Sequence, residues 1–337
     1  MFARGKLIRL LVVSAALLPA APFAARAQGQ RASQDFVRYD RFESERSDRL
    51  TGGRIERAEF EAGEPDIRLT LNVPSFRLTM WQNGREVKSW HVGVGMKDYP
   101  IYIGEREARE VIWNPNWIPP SSDWVRGTKG VRPGEVIKAS DPRNPLGKVK
   151  IPLGDGYLIH QAKGPGDLGN LVSHGCVRMM RADLYELAEK IVAARSLPVT
   201  RKQIANAKVT KNTVVAALDE PLEVDINYDT LVVEGGVLYI YPDVYGRGTN
   251  TAPRLRAELR ASGVDVSAVD DAELEKMLAS VKRRTKFVVP VSSVAQGRAL
   301  ADGRAEPLLG SPKPAPKSAP KPARRRRTVA AGGRQSG

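Results

Sequence analysis

A chain of 337 residues with 42% hydrophobic side chains has material for a real core, and its length allows about two domains. One Cys and three His exclude a disulfide-stapled scaffold and a Cys-rich zinc module. The formal charge of +15 does not describe a basic folded body. Residues 1–27 and 311–337 together carry twelve Lys and Arg and no acid, leaving +3 for everything between, so net charge gives no support to nucleic-acid binding.

Residues 1–27 begin with Arg4, Lys6 and Arg9, continue with an apolar run over 10–18 and end in Ala25-Arg26-Ala27, the layout of a secretory signal peptide. A membrane span needs about 20 apolar residues, and Pro19 and Pro22 interrupt this run. No Cys follows to carry a lipid anchor, so the expectation is export to the periplasm or cell wall. Residues 28–65, rich in Arg, Glu, Asp and Gly, read as a solvated linker.

From residue 66 the pattern changes. Ile67, Leu69 and Leu71 alternate with polar residues, Phe76, Leu78 and Met80 follow, then Asn83-Gly84, then Val87, Trp90, Val92 and Val94. Period-two runs flanking Asn-Gly predict a β-hairpin. Further strands are predicted over 110–113, 148–153 and 157–160, in a stretch punctuated by Pro and Gly. One helix is predicted over 182–195, where Leu184, Leu187, Ala188, Ile191 and Val192 form a single apolar stripe before Pro198. Strands resume over 213–218, 222–226, 230–234 and 236–241. Residues 252–283 read as helical and 286–291 as a short strand. Beyond residue 306 the Pro/Lys/Ala repeats and Arg324–327 predict a disordered basic tail.

Chemistry concentrates in one segment. His160 closes an apolar run, a Gly/Pro-rich loop of twelve residues follows, and Ser173-His174-Gly175-Cys176-Val177-Arg178 precedes the helix. A Cys nucleophile acts as thiolate, and an adjacent imidazole can take its proton and hold the pair charged. His160 is the candidate base. Gly175 allows a close turn, and the amides near Gly175 and Cys176 are candidate oxyanion donors. In an extended segment His174 and Cys176 point to one side, so His174 is expected to line the site. A lone Cys is commonly a small buried hydrophobe, but an unpaired Cys in an exported chain is either reactive or joined to another chain. Zinc held by His160, His174 and Cys176 would lack a second Cys or a supporting Glu/His pair. His91 reads as a packing or surface residue. Trp113 and Trp117 read as β-core residues, with stacking on a glycan or peptide as the other use of such rings.

These residues resemble the signature of the YkuD-type L,D-transpeptidases of bacterial cell-wall metabolism: a His, a glycine-rich loop, then Ser/Thr-His-Gly-Cys, an apolar residue and Arg or Asn. The stretches Trp113-Asn114-Pro115-Asn116-Trp117-Ile118-Pro119-Pro120, Asn144-Pro145-Leu146-Gly147 and Leu238-Tyr239-Ile240-Tyr241-Pro242-Asp243-Val244-Tyr245 are similar to the family's periplasmic members. Two positions depart from the pattern. Gln161 stands where many members have Gly, and residues 99–104 replace a Thr-Pro-Thr-Gly stretch.

The resemblance implies a mainly β fold: a β-sandwich or barrel core with one embedded helix, a small α-rich C-terminal piece and the basic tail. The expected organisation is a signal peptide over 1–27, a linker over 28–65, a catalytic domain over 66–245, an accessory α/β segment over 246–305 and the tail over 306–337. It implies Cys176 as nucleophile, His160 as base, Ser173, His174 and Gly175 as residues shaping the site and its oxyanion hole, and Arg178 with Trp117 as substrate contacts. No metal or organic cofactor is implied. The implied activity is a cysteine acyltransferase of cell-wall and cell-shape maintenance that forms 3→3 cross-links between peptidoglycan stems or attaches protein to the wall. An L,D-carboxypeptidase or amidase on the same scaffold, and a non-catalytic wall-binding protein, are the alternatives. The tail adds anionic wall polymers or lipid head groups as expected partners; nucleic acid is not one.

Overall fold

The computed structural model describes residues 66–195, 199–267 and 269–309. The signal peptide, the linker, Pro198 and the tail beyond residue 309 lie outside the described residues. The mainly β core expected from the sequence is present. Strands β1 (Ile67–Asn72), β2 (Arg77–Gln82) and β3 (Arg85–His91) form an antiparallel meander in which Leu69 pairs with Met80 and Leu71 with Leu78. Ile67, Leu69 and Leu71 are buried while their neighbours are not, as a half-buried strand requires. The β2–β3 turn is Asn83-Gly84 with φ of 51° and 72°, the positive pair that an Asn-Gly hairpin turn supplies.

The remaining strands of this unit are β4 (Val94–Gly95), β5 (Gly104–Trp113), β6 (Val149–Pro152), β7 (Leu158–Gln161), β8 (Leu171–Ser173), β9 (Val177–Met179) and β10 (Val214–Asn227). Eight of them form one sheet in the order β3-β2-β1-β10-β5-β6-β7-β9. Its two edges are drawn together just past β3, where Gly93 N–H donates to Arg178 O at 2.9 Å and Arg178 N–H to Gly93 O at 2.8 Å. The sheet is thereby nearly closed around a core of Leu69, Leu78, Val111, Trp113, Ile151 and Ile159. Trp113 is fully buried, a core residue rather than a ligand platform.

Among the described residues three α-helices, not one, belong to this unit. The expected helix is α2 (Arg181–Ala194), whose Leu184, Leu187, Ala188, Ile191 and Val192 are all buried. A four-residue α1 (Asp123–Arg126) lies in the loop before β6. A third, α3 (Arg201–Val209), is capped by Thr200, which accepts from Gln203 N–H while the Gln203 side chain accepts from Thr200 N–H. That reciprocal pair is readable as Thr-x-x-Gln in the sequence. Buried Asn114 docks the end of α3, donating to Ala207 O at 2.7 Å and Asn212 O at 2.8 Å.

The C-terminal piece begins earlier and ends later than the sequence suggested. The hairpin β11 (Leu231–Glu234) and β12 (Val237–Ile240), expected inside the catalytic domain, instead heads a second sheet with β13 (Thr285–Pro290) and β14 (Arg304–Pro307), in the order β11-β12-β13-β14. Helices α4 (Ala252–Ala261), α5 (Asp271–Ala279), α6 (Val291–Ala295) and α7 (Ala299–Asp302) complete it. Leu238, Ile240, Leu255, Leu274, Met277 and Phe287 are buried in a separate core. The piece is an α/β unit in which helix outweighs strand.

Glu306 and Pro307, placed in the tail by composition, are sheet residues. They pair with Lys286 and Thr285, because the strand-forming run on β13 offers them a ladder. Leu308 then joins the main core at 6% exposure, and the Leu309 side chain lies against Gly169 in the loop before β8. Burying one Leu contributes about 2 kcal/mol, which for a unit of this size is worth roughly 5 °C in Tm. A chain ending after residue 305 is expected to melt at least that far below one ending after residue 309, in a thermal scan. Equal melting would show that Leu308 and Leu309 do not strap the two units together.

Candidate active site

The register of three strands builds the site. Antiparallel pairing sets Lys150 of β6 opposite His160 of β7 and Pro152 opposite Leu158; parallel pairing sets His160 beside Arg178 of β9. One step back in that register places Cys176 beside Leu158. Side chains alternate across a sheet. Ile151, Ile159 and Val177 therefore point into the core at 0% exposure, while Lys150, Leu158, His160, Cys176 and Arg178 line one cavity of about 1200 Å³. The predicted pair, Cys176 and His160, shares that face.

Ser173 and Gly175 set the turn that delivers Cys176. The buried Ser173 Oγ donates to Cys176 O at 2.5 Å. Gly175 has φ of 109°, and a Cβ there would lie 2.9 Å from the Tyr157 ring, so both backbone and space call for glycine. His174 also lines the cavity, held between two aromatic rings. It stacks on Trp124 of α1 with centroids 4.3 Å apart and planes 8° from parallel, and meets Tyr99 edge-on at 4.7 Å.

Trp117 is a buried residue at the edge of the cavity. It is 8% exposed, its backbone exchanges two hydrogen bonds with Ile137, and it stacks behind Trp124 at 6.3 Å. Its ring reaches the cavity wall chiefly as support for Trp124. Arg178 lines the cavity and pairs with Asp167 at 3.2 Å; the same carboxylate oxygen accepts from Lys163 N–H at 2.8 Å and so ties the Gly/Pro loop to β9. No sequence motif marks Asp167, Trp124, Tyr99 or Lys150. Gln161 has a local role where glycine was expected. Its Oε1 accepts from Lys148 N–H at 3.1 Å and its side chain covers Gly147, which fixes the Asn144–Gly147 turn against β7. His91 is exposed on β3 and does not line the cavity.

The electrostatics reverse the expectation of a resting charged pair. Burial, helped by the Arg178 charge, pushes the His160 imidazole down to about 4. Burial pushes the half-buried Cys176 thiol up to about 11, against smaller pulls from the Leu158 backbone and Arg178. At neutral pH the site therefore holds a neutral imidazole and a protonated thiol: a base free to accept and an acid able to give. His160 is 4% exposed, and its Nδ1 has no hydrogen-bond partner among the described residues. Burial also lowers His174, with Arg178 and Lys163 adding to the effect. Among the described residues no three His, Cys, Asp or Glu side chains come together as a metal site.

Residues 66–214 match the model of the L,D-transpeptidase catalytic domain. YbiS of Escherichia coli K12 and YkuD of Bacillus licheniformis both carry the name L,D-transpeptidase. YbiS is 29% identical over 126 residues, 36% of this chain and 41% of that protein, so the match spans under half of its length. YkuD is 26% identical over 156 residues, 45% of this chain and 80% of that protein. Among solved structures, an L,D-transpeptidase from Mycobacterium smegmatis aligns at 13% identity with a TM-score of 0.28, over 48% of this chain and 59% of that one. The catalytic domain of the E. faecium L,D-transpeptidase aligns at 14% identity and 0.30, over 50% and 100%. Residues 66–214, which hold His160, Cys176 and the strands that face them together, match the L,D-transpeptidase catalytic domain family.

Proposed function

We propose that the protein is an exported cysteine acyltransferase of peptidoglycan that joins stem peptides by 3→3 cross-links through a Cys176 acyl-enzyme. The observation that carries this reading is the shared face of Cys176 and neutral His160 at the floor of the cavity. The donor is a tetrapeptide stem. As the Cys176 sulfur attacks the carbonyl of the third residue, its proton passes to His160. The tetrahedral oxyanion is met by backbone N–H groups of the Gly175–Cys176 turn. The carbon–nitrogen bond then breaks, the departing amine of the terminal residue takes the proton from His160, and a thioester remains. An amine of a second stem attacks the thioester and gives its proton to His160, and the sulfur leaves as thiol with that proton. Two acyl steps replace one direct amide exchange.

Because the thiol is protonated at rest, proton transfer and attack are coupled, and a neutral imidazole suits that role better than a preformed ion pair. Export rests on the layout of residues 1–27; among the described residues no helix is long and apolar enough to cross a membrane. Binding of anionic wall polymers belongs to the eight positive charges after residue 310. Purified protein incubated with tetrapeptide-bearing sacculi is expected to yield 3→3 cross-linked muropeptides by mass spectrometry. Accumulation of tripeptide alone, with acceptor stems present, would make the protein an L,D-carboxypeptidase.

A further inference from the structure

The cavity wall carries four cations, and three are accounted for by partner or position. Arg143 is paired with Asp141 at 2.7 Å and Glu135 at 3.3 Å, and Arg178 with Asp167. Lys163 is exposed on the Gly/Pro loop. Lys150 is the remaining one. It is half-buried on β6, directly opposite His160, and forms no salt bridge with any described residue. Glu110 attracts it only from beyond ion-pair distance, and burial holds its ammonium below the usual lysine range. A partly desolvated cation without a counter-ion is unfavourable, and an arriving anion relieves that cost.

The proposed reaction brings an anion to this place. The departing amine must come within about 3 Å of the His160 imidazole to take its proton. When the departing residue is the last of the peptide, its carboxylate carbon is two bonds from that amine, about 2.5 Å away. Side chains directly opposite on neighbouring antiparallel strands start from Cβ atoms about 5 Å apart, well within the reach of a lysine. Arg178, on the other flank of His160, already has its carboxylate.

We propose that Lys150 binds the free carboxylate of the departing terminal residue and so confines the enzyme to the last peptide bond of a stem. This assignment rests on the acyl-transfer reading above. An internal amide would bring a neutral peptide group to a charge that needs an anion, whereas a terminal residue brings its own.

The test compares two soluble donors, a tetrapeptide stem ending in free D-alanine and the same stem ending in the amide, across wild type, Lys150→Met and Lys150→Arg. Wild type is expected to favour the acid. In Lys150→Met the acid-to-amide ratio of kcat/KM should fall about 10- to 100-fold, the range for losing a charge-assisted hydrogen bond; Lys150→Arg should retain most of the preference. A Lys150→Met enzyme that slows equally on both donors, or that keeps the wild-type ratio, overturns the assignment. Intact-mass detection of a Cys176 thioester separates the two levels. A wild-type thioester without discrimination sinks only the role of Lys150, and no thioester from either donor sinks the acyl-transfer reading with it.

Discussion

Cys176→Ala is expected to remove product formation to background, a loss on the order of 10⁴-fold or more, the scale on which a covalent catalyst fails without its nucleophile. It is the only Cys in the chain, so no second sulfur can substitute. Alanine keeps the Cβ, and Ser173 Oγ bonds the backbone carbonyl of residue 176 rather than its side chain, so the turn survives the change. Circular dichroism and melting temperature should therefore match wild type while muropeptide exchange disappears. The adduct that a stem peptide leaves on the wild-type protein, read by intact mass, should be missing. Exchange activity in this variant would remove the acyl-enzyme from the mechanism.

His160→Ala should cost 10²–10⁴ in kcat/KM, the range for a general base, and it carries a second signature. With the imidazole held at about 4 in the folded protein, the wild-type acid limb should fall near pH 4 rather than near pH 6.5. Below that limb the ring is already protonated and cannot accept the thiol proton; above it the rate levels off. In His160→Ala the limb should vanish and the residual rate should rise toward high pH, as free thiolate forms. A rate that stays at the wild-type level would transfer the base role to His174, the other imidazole on the cavity wall.

The sequence carried most of the fold where structure is local. Alternation around Asn83-Gly84 gives the β1–β3 meander, and a single stripe gives α2, because both are written in spacing. The hairpin at 231–240 was equally visible as a hairpin, yet its sheet was not: which strand pairs with β12 depends on Phe287 and Val289, fifty residues away. The tail boundary moved for the same reason, since Glu306 and Pro307 gain their ladder from β13. At the site, Cys176, His160 and Gly175 stood out through residue type and motif. Lys150 did not, because a lysine in a strand has no signature; only the register that sets it opposite His160 gives it meaning. Trp124 and Asp167 act through a stack and an ion pair with partners 50 and 11 residues away.

Strand β10 has a consequence for how the chain can be divided. The family match stops at residue 214, where β10 begins, yet this strand lies between β1 and β5 near the middle of the sheet, parallel to one and antiparallel to the other. Its Leu222, Val224 and Ile226 are buried in the main core. A fragment cut at the family boundary would hold the whole catalytic signature while splitting its sheet into a three-stranded and a four-stranded half, each with a raw edge where hydrogen bonds had been. The stretch that matches the family model is thus shorter than the sheet it belongs to.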